Sequence, residues 1–397
     1  MKSINCQTTE WIYGFKKELT ENILPYWIEK MQDFEHGGFY GRIDGNDVIY
    51  QEANKGAILH ARILWTFSAA YRILGNNEYR DVAQRALDYI ESHFIDKEYG
   101  GTFWELDYMG NPENTKKQMY AQGFMLYGFS EFYRATGSEK ALAMAVDTFR
   151  LIEKYKDSEY GGYPEAFTRD WEPISDMRLS EKDANERKTM NTHLHILEPY
   201  TNLLRIWRHE DIMNAQRDLI SIFIDKIIDS ESYHLNLFFN DFWEVKSSAI
   251  SYGHDIEASW LLTEAAEVLG ENGLLERVNE VSSKIAKAAA EGLDSDGGLN
   301  YEKEDTVIDR EKHWWVQAEA VVGFYSLYQN IKDTTYLDLA FRIWSYIQNH
   351  LIDKTNGEWY WSIKPDGMPN LVDDKAGFWK CPYHNGRMCM EMMERIK

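Results

Sequence analysis

Apolar positions recur at helical spacing along the chain and define two sets of segments that alternate from one end to the other. The first set is amphipathic and covers residues near 10–31, 79–95, 139–155, 212–229, 274–292 and 335–351. The second set is apolar on most faces and covers residues near 57–74, 119–136, 191–208, 254–269, 314–331 and 383–396. Helices that are apolar on most faces are buried, so the second set should form inner helices and the first set outer ones. We therefore predict six units, each with one outer and one inner helix.

Glycine-centred turns rich in aromatic residues join the two helices of a unit. They read HGGFYG, YGGTFWELD, YGGYPEAF, DGGLNYE and NGEWYWSI, and their first glycines are residues 37, 100, 161, 297 and 357. One interval is twice as long as the others, and YHLNLFFNDFW at 233–243 fills it as a degenerate sixth copy. A period near 60 residues indicates a repeat architecture. The short extended pieces in these turns predict small β-hairpins.

The end of the last unit favours a closed ring over an open array of repeats. It is apolar at Met388, Met390, Met392 and Met393, whereas an open solenoid usually ends in a polar capping repeat. We therefore predict an all-α fold, an (α/α)6 barrel that forms a single catalytic domain over residues 1–397, with no Pro- or Ser-rich linker. The inner helices would then all begin at one mouth, where a site is expected.

Polar and aromatic side chains stand at the start of all six predicted inner helices, where packing alone would favour apolar residues. In chain order they are His60 and Arg62, Tyr120, Asn191, His193 and His195, His254 and Glu257, Trp314, Trp315 and Glu319, and Trp379, His384 and Arg387. His254 and Glu257 share one helix face, so we expect Glu257 to fix the tautomer of His254. His193 and His195 point to different faces, so at most one of them reaches the cavity.

Several of these residues also have structural interpretations. His60 fits a packing or rim position as well as a ligand position, and one of Trp314 and Trp315 is expected in the core. Arg62 on an apolar face needs either a partner or a function, because an unpaired buried charge is costly. Pro199, within an otherwise helical run, predicts a kink.

Metal binding and glycoside hydrolysis are alternatives to proton transfer by histidine. His195, His254, His384 and Glu257 could bind a metal, but the histidines come from three units and no His-Glu-x-x-His or cysteine cluster is present, so we expect none. An inverting glycosidase needs a carboxylic acid and an ionised carboxylate, for which Glu257, Glu319, Asp255 and Glu165 are available. The abundance of histidine favours proton transfer near neutral pH.

Composition excludes some partners and favours others. The 397 residues carry a net charge of −22, which argues against nucleic acids and anionic membranes. No apolar stretch approaches 18 residues, and Cys6, Cys381 and Cys389 form no Cys-x-x-Cys pair, so we expect a cytoplasmic protein. Aromatic residues make up 14% of the chain; most are expected in the core between helices, and some excess is expected in a protein that stacks on sugar rings. Nothing in the sequence requires more than a monomer.

Five segments together resemble the cellobiose 2-epimerase branch of the N-acylglucosamine 2-epimerase superfamily. They are KGAILHARILW, MNTHLHILE, SYGHDIEASW, HWWVQAEAVVGF and WKCPYHNGRMCME. The resemblance runs from about Leu19 to the C-terminus and departs from the family at Pro199, where a small helix former is expected. It implies an (α/α)6 barrel that inverts C2 of the reducing-end sugar of β-1,4-linked disaccharides without a metal or redox cofactor.

The resemblance also implies roles for individual residues. His254 and His384 resemble the general acid/base pair, and His195 resembles a third histidine associated with ring opening. Arg62 resembles the group that stabilises the enediolate oxygens. Substrate contacts or orienting roles are implied for Tyr120, Asn191, Glu257, Trp314, Trp315 and Trp379.

Other functions remain open on the sequence alone. A monosaccharide aldose–ketose isomerase or an N-acylglucosamine 2-epimerase would use the same groups on a smaller sugar. An inverting glycosidase would break the glycosidic bond, and a sugar-binding or repeat-interaction module would turn nothing over. The preferred disaccharide (cellobiose, mannobiose or lactose) depends on loops that these motifs do not include.

Overall fold

The computed structural model describes the backbone of residues 4–396 and the side chains from Thr9 to Ile396. In this part of the chain the α-helices are α1 (Ile4–Glu18), α2 (Leu24–Lys30), α3 (Ala57–Leu74), α4 (Asn77–Tyr89), α5 (Met119–Thr136), α6 (Glu139–Lys154), α7 (Met190–Ile206), α8 (Glu210–Ile222), α9 (Tyr252–Leu269), α10 (Asn272–Ala289), α11 (Trp314–Ile331), α12 (Thr334–Tyr346) and α13 (His384–Arg395). Short π-helical turns follow α1, α4, α8 and α12, at Leu19–Ile23, Ile90–Phe94, Phe223–Ile227 and Ile347–Leu351, and a 3-10 turn, Ala290–Gly292, follows α10.

Six helices form an inner ring, α3, α5, α7, α9, α11 and α13. Each contacts the next in this order, and α13 also contacts α3, which closes the ring. The other helices pack outside it, and most residues of each inner helix are buried. The predicted (α/α)6 barrel is therefore confirmed. Three inner helices have the predicted bounds, namely 57–74, 119–136 and 314–331.

The strands are short and lie in the connections at the mouth of the barrel. They are β1 (Arg42–Ile43), β2 (Ile49–Tyr50), β3 (Lys55–Gly56), β4 (Glu105–Leu106), β5 (Pro112–Asn114), β6 (Lys117–Gln118), β7 (Ala166–Phe167), β8 (Lys188–Thr189), β9 (Phe238–Phe239), β10 (Ile250–Ser251), β11 (Glu302–Glu304), β12 (Val307–Asp309), β13 (Lys312–His313) and β14 (Ser362–Ile363). The predicted hairpins form at β1–β2, β4–β5 and β11–β12, whereas β7 in YGGYPEAF and β14 in NGEWYWSI pair with β6 and β13 instead of forming a hairpin with a strand of their own turn.

Pairing between units, which the sequence did not predict, fixes the start of five inner helices. The strand just before each of these helices pairs antiparallel with a strand from the turn of the next unit: β3 with β4, β6 with β7, β8 with β9, β10 with β11, and β13 with β14. Each inner helix therefore begins at a position held by two neighbouring units. Side chains in its first two turns are fixed relative to those of the next helix.

A buried lysine stands two residues before four of the inner helices and binds an aspartate in the turn of the same unit. The Nζ–Oδ2 distances are 2.7 Å for Lys55–Asp33, 2.9 Å for Lys117–Asp96, 2.6 Å for Lys188–Asp157 and 3.2 Å for Lys312–Asp294. Such pairs supply hydrogen bonds to charges that would otherwise be costly to bury. The fourth unit lacks the lysine and has Ile250 at this position.

The predictions for Pro199, for the cysteines and for membrane-spanning segments can each be compared with the structure. The helix α7 continues through Pro199 to Ile206. Cys381 and Cys389 are buried free thiols, and the side chain of Cys6 lies outside the described residues. Among the described residues, no helix combines the length and the apolar character that crossing a membrane requires.

Candidate active site

A cavity of about 560 Å³ opens at the N-terminal ends of the inner helices. All ten residues predicted for the site line it: Arg62, Tyr120, Asn191, His195, His254, Glu257, Trp314, Trp315, Trp379 and His384. A larger surface groove of about 930 Å³ lies beside α1 and α2 on the outside of the barrel, but no histidine is among its described lining residues. The cavity at the mouth is thus where the groups able to transfer protons meet.

The fourth residue of each of five inner helices has a structural role and does not line the cavity. His60, Gln122, His193, Asp255 and Gln317 each accept a hydrogen bond from a backbone N–H in the turn of their own unit, at distances from 2.8 to 3.3 Å. A buried N–H without a partner would destabilise the fold. His60 and His193 are therefore packing residues, in agreement with the prediction that only one histidine of the His193–His195 pair reaches the cavity.

His254 is held by a hydroxyl and not by the carboxylate that the sequence suggested. Its Nδ1 lies 2.8 Å from Oγ of Ser251, and its ring lies 4.7 Å from that of Trp315. Glu257 binds Arg387 instead, with 2.6 Å between Oε1 and Nη2. The predicted role of Glu257 in fixing His254 is therefore wrong, because a buried guanidinium is the stronger partner for a carboxylate. Burial, together with the nearby His195, lowers the pKa of His254 to about 3, so the ring is neutral at pH 7.

His384 is held by a carboxylate. Its Nδ1 donates to Oε1 of Glu319 at 2.7 Å. Burial, followed by the positive charges of Arg62 and Arg387, lowers the pKa of His384 well below its usual value. Since Nδ1 is engaged in both His254 and His384, Nε2 is the nitrogen of each that remains for a ligand.

His195 has the same kind of partner as His384. Its Nδ1 donates to Oε1 of Glu198 at 2.6 Å, and its ring packs edge-on against Tyr120 at 4.9 Å. Burial lowers the pKa of His195, although Glu198 acts in the opposite direction. The carbonyl oxygen of His195 lacks its usual helical partner, because Pro199 has no N–H to donate. At this point α5 comes so close that a Cβ on Gly123 would lie 2.3 Å from that oxygen.

Arg387 joins three buried carboxylates below the cavity. Its guanidinium donates to Glu198 at 2.5 Å, to Glu257 at 2.6 Å and to Glu319 at 2.8 Å. Burial opposes ionisation of Glu198, but the charges of Arg387 and His195 lower the pKa of Glu198 to about 2. Burial, and then repulsion by Glu319, raises the pKa of Glu257 well above its usual value. Glu257 is therefore the acid of this cluster that most readily keeps a proton.

Arg62 is a buried cation that the structure does not pair with an acid. It donates to the hydroxyl of Tyr120 at 2.8 Å and to the carbonyl of Trp379 at 3.1 Å, and its guanidinium lies 4.2 Å from the centre of the Phe124 ring. No carboxylate of the described residues is bonded to it. An uncompensated buried charge of this kind favours an anion in the cavity beside it.

Aromatic residues form much of the cavity wall. Both Trp314 and Trp315 line it, and Trp314 is also a buried residue of the hydrophobic core, whereas Trp315 is only partly buried, so one of the two is in the core as expected. The indole of Trp314 packs against that of Trp361 at 4.5 Å between ring centres. Asn191 also faces the cavity, and its Oδ1 has no hydrogen-bond partner in the protein. The wall thus offers flat apolar faces with a few free polar atoms, as sugar sites do.

Among the described residues, two groups of side chains are close enough to hold a metal ion, but both are engaged in other contacts. The ligand atoms of His195, His254 and Glu257 lie within 4.8 Å of one another, as do those of Glu257, Glu319 and His384. The fixed charge of Arg387 contacts both glutamates and would repel a divalent ion. The metal-free site stays a prediction that this charge arrangement supports.

Known proteins are similar to this sequence over nearly its whole length. The model of the family described as N-acylglucosamine 2-epimerase (GlcNAc 2-epimerase) matches residues 38–386. The chain belongs to this family. It is 57% identical over 381 residues to the cellobiose 2-epimerase of Bacteroides fragilis, with 95% of this chain and 97% of that protein covered. It is 41% identical over 385 residues to the cellobiose 2-epimerase of Ruminococcus albus, with coverage of 97% and 98%.

A solved structure shows the same architecture. The cellobiose 2-epimerase from Bacillus thermoamylovorans B4167 superimposes with a TM-score of 0.94 at 42% identity, and the match covers 98% of this chain and 100% of that one. For this member of the N-acylglucosamine 2-epimerase family, the resemblance noted in the sequence and the predicted fold are both confirmed.

Some residues of the cavity wall and of the carboxylate cluster below it were not predicted from the sequence of this family member. Glu198, and Tyr383, whose hydroxyl donates to Glu198, belong to that cluster and were not singled out. Glu198 nevertheless follows His195 by three residues, which is the spacing that places two side chains on one helix face. Arg387 was noted at the mouth but not assigned to the site. A long connection between β7 and β8 contributes residues 179–183 to the cavity wall, and a second connection contributes residues 372–374. Neither connection carries a periodic pattern that would place it.

Proposed function

We propose that this protein is a carbohydrate 2-epimerase that inverts C2 of the reducing-end sugar of β-1,4-linked disaccharides. The observation that carries the proposal is the pair His254 and His384, which come from different helices and line one cavity with Nε2 free. The identity to two cellobiose 2-epimerases over nearly the full chain supports the substrate class.

The proposed reaction begins from the open-chain aldehyde. The hydrogen on C2 is only weakly acidic, so a base must act together with groups that stabilise the enediolate. His254 and His384 are both neutral near pH 7, because burial lowers the pKa of each, and either can accept the proton. Return of a proton to the opposite face of C2 gives the epimer, and two histidines on separate helices can serve the two faces.

Other cavity residues would bind the sugar and stabilise the enediolate. Arg62, which has no acid partner among the described residues, is placed to stabilise the oxygens of the enediolate. His195 would assist ring opening. Trp315 and Trp379 offer faces on which sugars can stack, and Tyr120, Asn191, Glu257 and Trp314 offer polar or apolar contacts. The reaction is neutral in redox terms, so it requires no redox cofactor.

The test is incubation of the purified protein with cellobiose and, separately, with mannobiose in D2O containing EDTA, followed by NMR. The expected result is the C2 epimer with deuterium at C2 and an intact glycosidic bond. Free monosaccharides would indicate a glycosidase instead. Turnover of mannose or N-acylmannosamine, without any change in a disaccharide, would keep the histidine pair and reassign the substrate. Loss of turnover on EDTA treatment would contradict the metal-free site.

Variants test the roles of the two histidines. His254→Ala and His384→Ala are each expected to abolish epimerisation while the protein stays folded. His350→Ala is the matched control, because His350 is exposed at the end of an outer helix and should be replaceable without effect. Substantial activity in either cavity variant would refute the assignment of the pair.

We also propose that the enzyme is a cytoplasmic monomer whose residues 1–397 form one catalytic domain. The net charge of −22 and the two buried free thiols, Cys381 and Cys389, support a reducing compartment and a soluble single chain. Light scattering on the purified protein measures the mass directly, and a mass of twice 46.6 kDa would refute the monomer.

A further inference from the structure

The three histidines of the cavity differ in what holds them. In His195 and His384, Nδ1 donates to a carboxylate, from Glu198 and Glu319 respectively. In His254, Nδ1 meets only the hydroxyl of Ser251, at 2.8 Å. A carboxylate stabilises the protonated form of an imidazole, whereas a hydroxyl carries no charge. The two proposed bases therefore have unequal partners.

Ser251 is rigidly placed beside His254. It is the last residue of β10, is 1% exposed, and pairs with Glu302 of β11 in the sheet between units. Its backbone therefore cannot shift without breaking that pairing, so the hydroxyl is fixed relative to the first turn of α9. A serine hydroxyl can accept from Nδ1–H or donate to an unprotonated Nδ1, while an ionised carboxylate can only accept.

We propose that Ser251 is the positioning residue of His254 and that, on the proposed epimerase function, its hydroxyl orients Nε2 of His254 toward one face of C2, as the carboxylate of Glu319 orients Nε2 of His384 toward the other. Each histidine then serves one face of C2, and the two faces are not equivalent in the enzyme.

The path of the C2 proton determines whether deuterium exchange and inversion at C2 can be measured separately. Abstraction moves the C2 proton to Nε2 of one neutral histidine and leaves the electron pair in the enediolate. That histidine can return a proton to the same face, which restores the substrate. Alternatively, the other histidine takes a proton from solvent at Nε2 and delivers it to the opposite face, which gives the epimer, and the first histidine then releases the abstracted proton to solvent. In D2O, exchange of the histidine proton labels C2 in either case, so exchange and inversion can be counted separately.

The variant Ser251→Ala removes the partner of His254 and leaves that of His384 in place. We expect the turnover number for epimerisation to fall about ten-fold, with KM within about two-fold, because one hydrogen bond to the working base is lost. Cellobiose and its C2 epimer are each incubated with the variant in D2O. From the sugar whose C2 proton is abstracted by His384, deuterium should still enter C2 of the recovered substrate, so that the ratio of exchange to inversion rises about ten-fold. From the other, exchange and inversion should fall together.

Two further variants complete the test. Glu319→Gln weakens the partner of His384, so the substrate that shows exchange without inversion should be the opposite epimer. Ser259→Ala is the control, because Ser259 is a buried serine of α9, the helix that carries His254, and its hydroxyl donates only to the carbonyl of Ile256. It should behave like the unaltered enzyme.

The possible results separate this inference from the proposed function. Wild-type-like epimerisation by Ser251→Ala, or an equal loss of exchange and inversion from both epimers, would overturn the inference and leave the epimerase intact. An unaltered enzyme that puts no deuterium at C2 of either sugar would overturn the proposed function, and the inference with it.

Discussion

Replacing Arg387 by methionine would remove the guanidinium that Glu198, Glu257 and Glu319 share. Methionine keeps much of the volume of the aliphatic part of the side chain, so the change is mainly one of charge and hydrogen bonding. Breaking a buried ion network by removing one partner costs about 3–5 kcal/mol, because the remaining charges stay buried. Each carboxylate is then without its cation, and each is fully buried.

The pKa of Glu198 gives an independent magnitude for the loss of stability and the direction in which that loss changes with pH. In the intact protein that pKa is about 2 instead of 4.5. The difference corresponds to about 3 kcal/mol of stability, present above pH 4.5 and lost as the pH falls toward 2. Without Arg387, the first of the charges that oppose burial is lost, so we expect burial to raise this pKa above its usual value although His195 still acts against it. Glu198 then destabilises the fold as the pH rises. The stability gap between the two proteins must therefore widen with increasing pH.

The free energy of unfolding can be measured by urea denaturation with tryptophan fluorescence, at about pH 8 and about pH 5. We expect a loss of roughly 3 kcal/mol or more at the higher pH and a clearly smaller loss at the lower one. Arg277→Met is the control, since the pair Arg277–Asp225 is half exposed and should contribute less than about 1 kcal/mol. A loss for Arg387→Met that is independent of pH, or no greater than the control, would refute the reasoning.

Two further predictions concern α5 and α7. Gly123→Ala would place a Cβ 2.3 Å from the carbonyl oxygen of His195, so we expect a loss of about 1–3 kcal/mol in urea denaturation and a lower turnover number. Gly273→Ala, with open space around it, should cost nothing, and equal effects of the two would contradict the close approach. His193→Gln should keep fold and activity, because glutamine fills the same position in α5 and α11, whereas His195→Gln should keep the fold and lose activity. An inactive His193→Gln would show that His193 does more than accept a backbone N–H.

The helices and the cavity-lining residues could be predicted because both depend on local spacing. Apolar periodicity places the inner helices to within two residues at their starts, and a barrel of parallel inner helices must bring those starts together. Nine side chains from six separate helices, and Trp379 just before the last of these helices, could therefore be assigned to one cavity without any contact being known.

The partners of those side chains could not be predicted in the same way. Glu257 has His254 as its neighbour on the helix, yet it binds Arg387, which lies 130 positions away in the sequence. Spacing reports which side chains share a helix face, but the choice among partners depends on charge and on distances across the ring. The same limit applies to Ser251, whose link to His254 depends on where the strand β10 ends.

The helical repeat explains how one residue type acquires two roles in this barrel. Successive residues of a helix are turned by about 100°, so the fourth and sixth residues of an inner helix point to nearly opposite sides. The fourth faces the turn of its own unit and satisfies a backbone N–H there, as His193 does. The sixth faces the axis of the barrel, as His195, Arg62 and Glu257 do. The fold therefore uses one position to secure five of its six units. The other position is left free to vary from unit to unit and to assemble a site that no single unit contains.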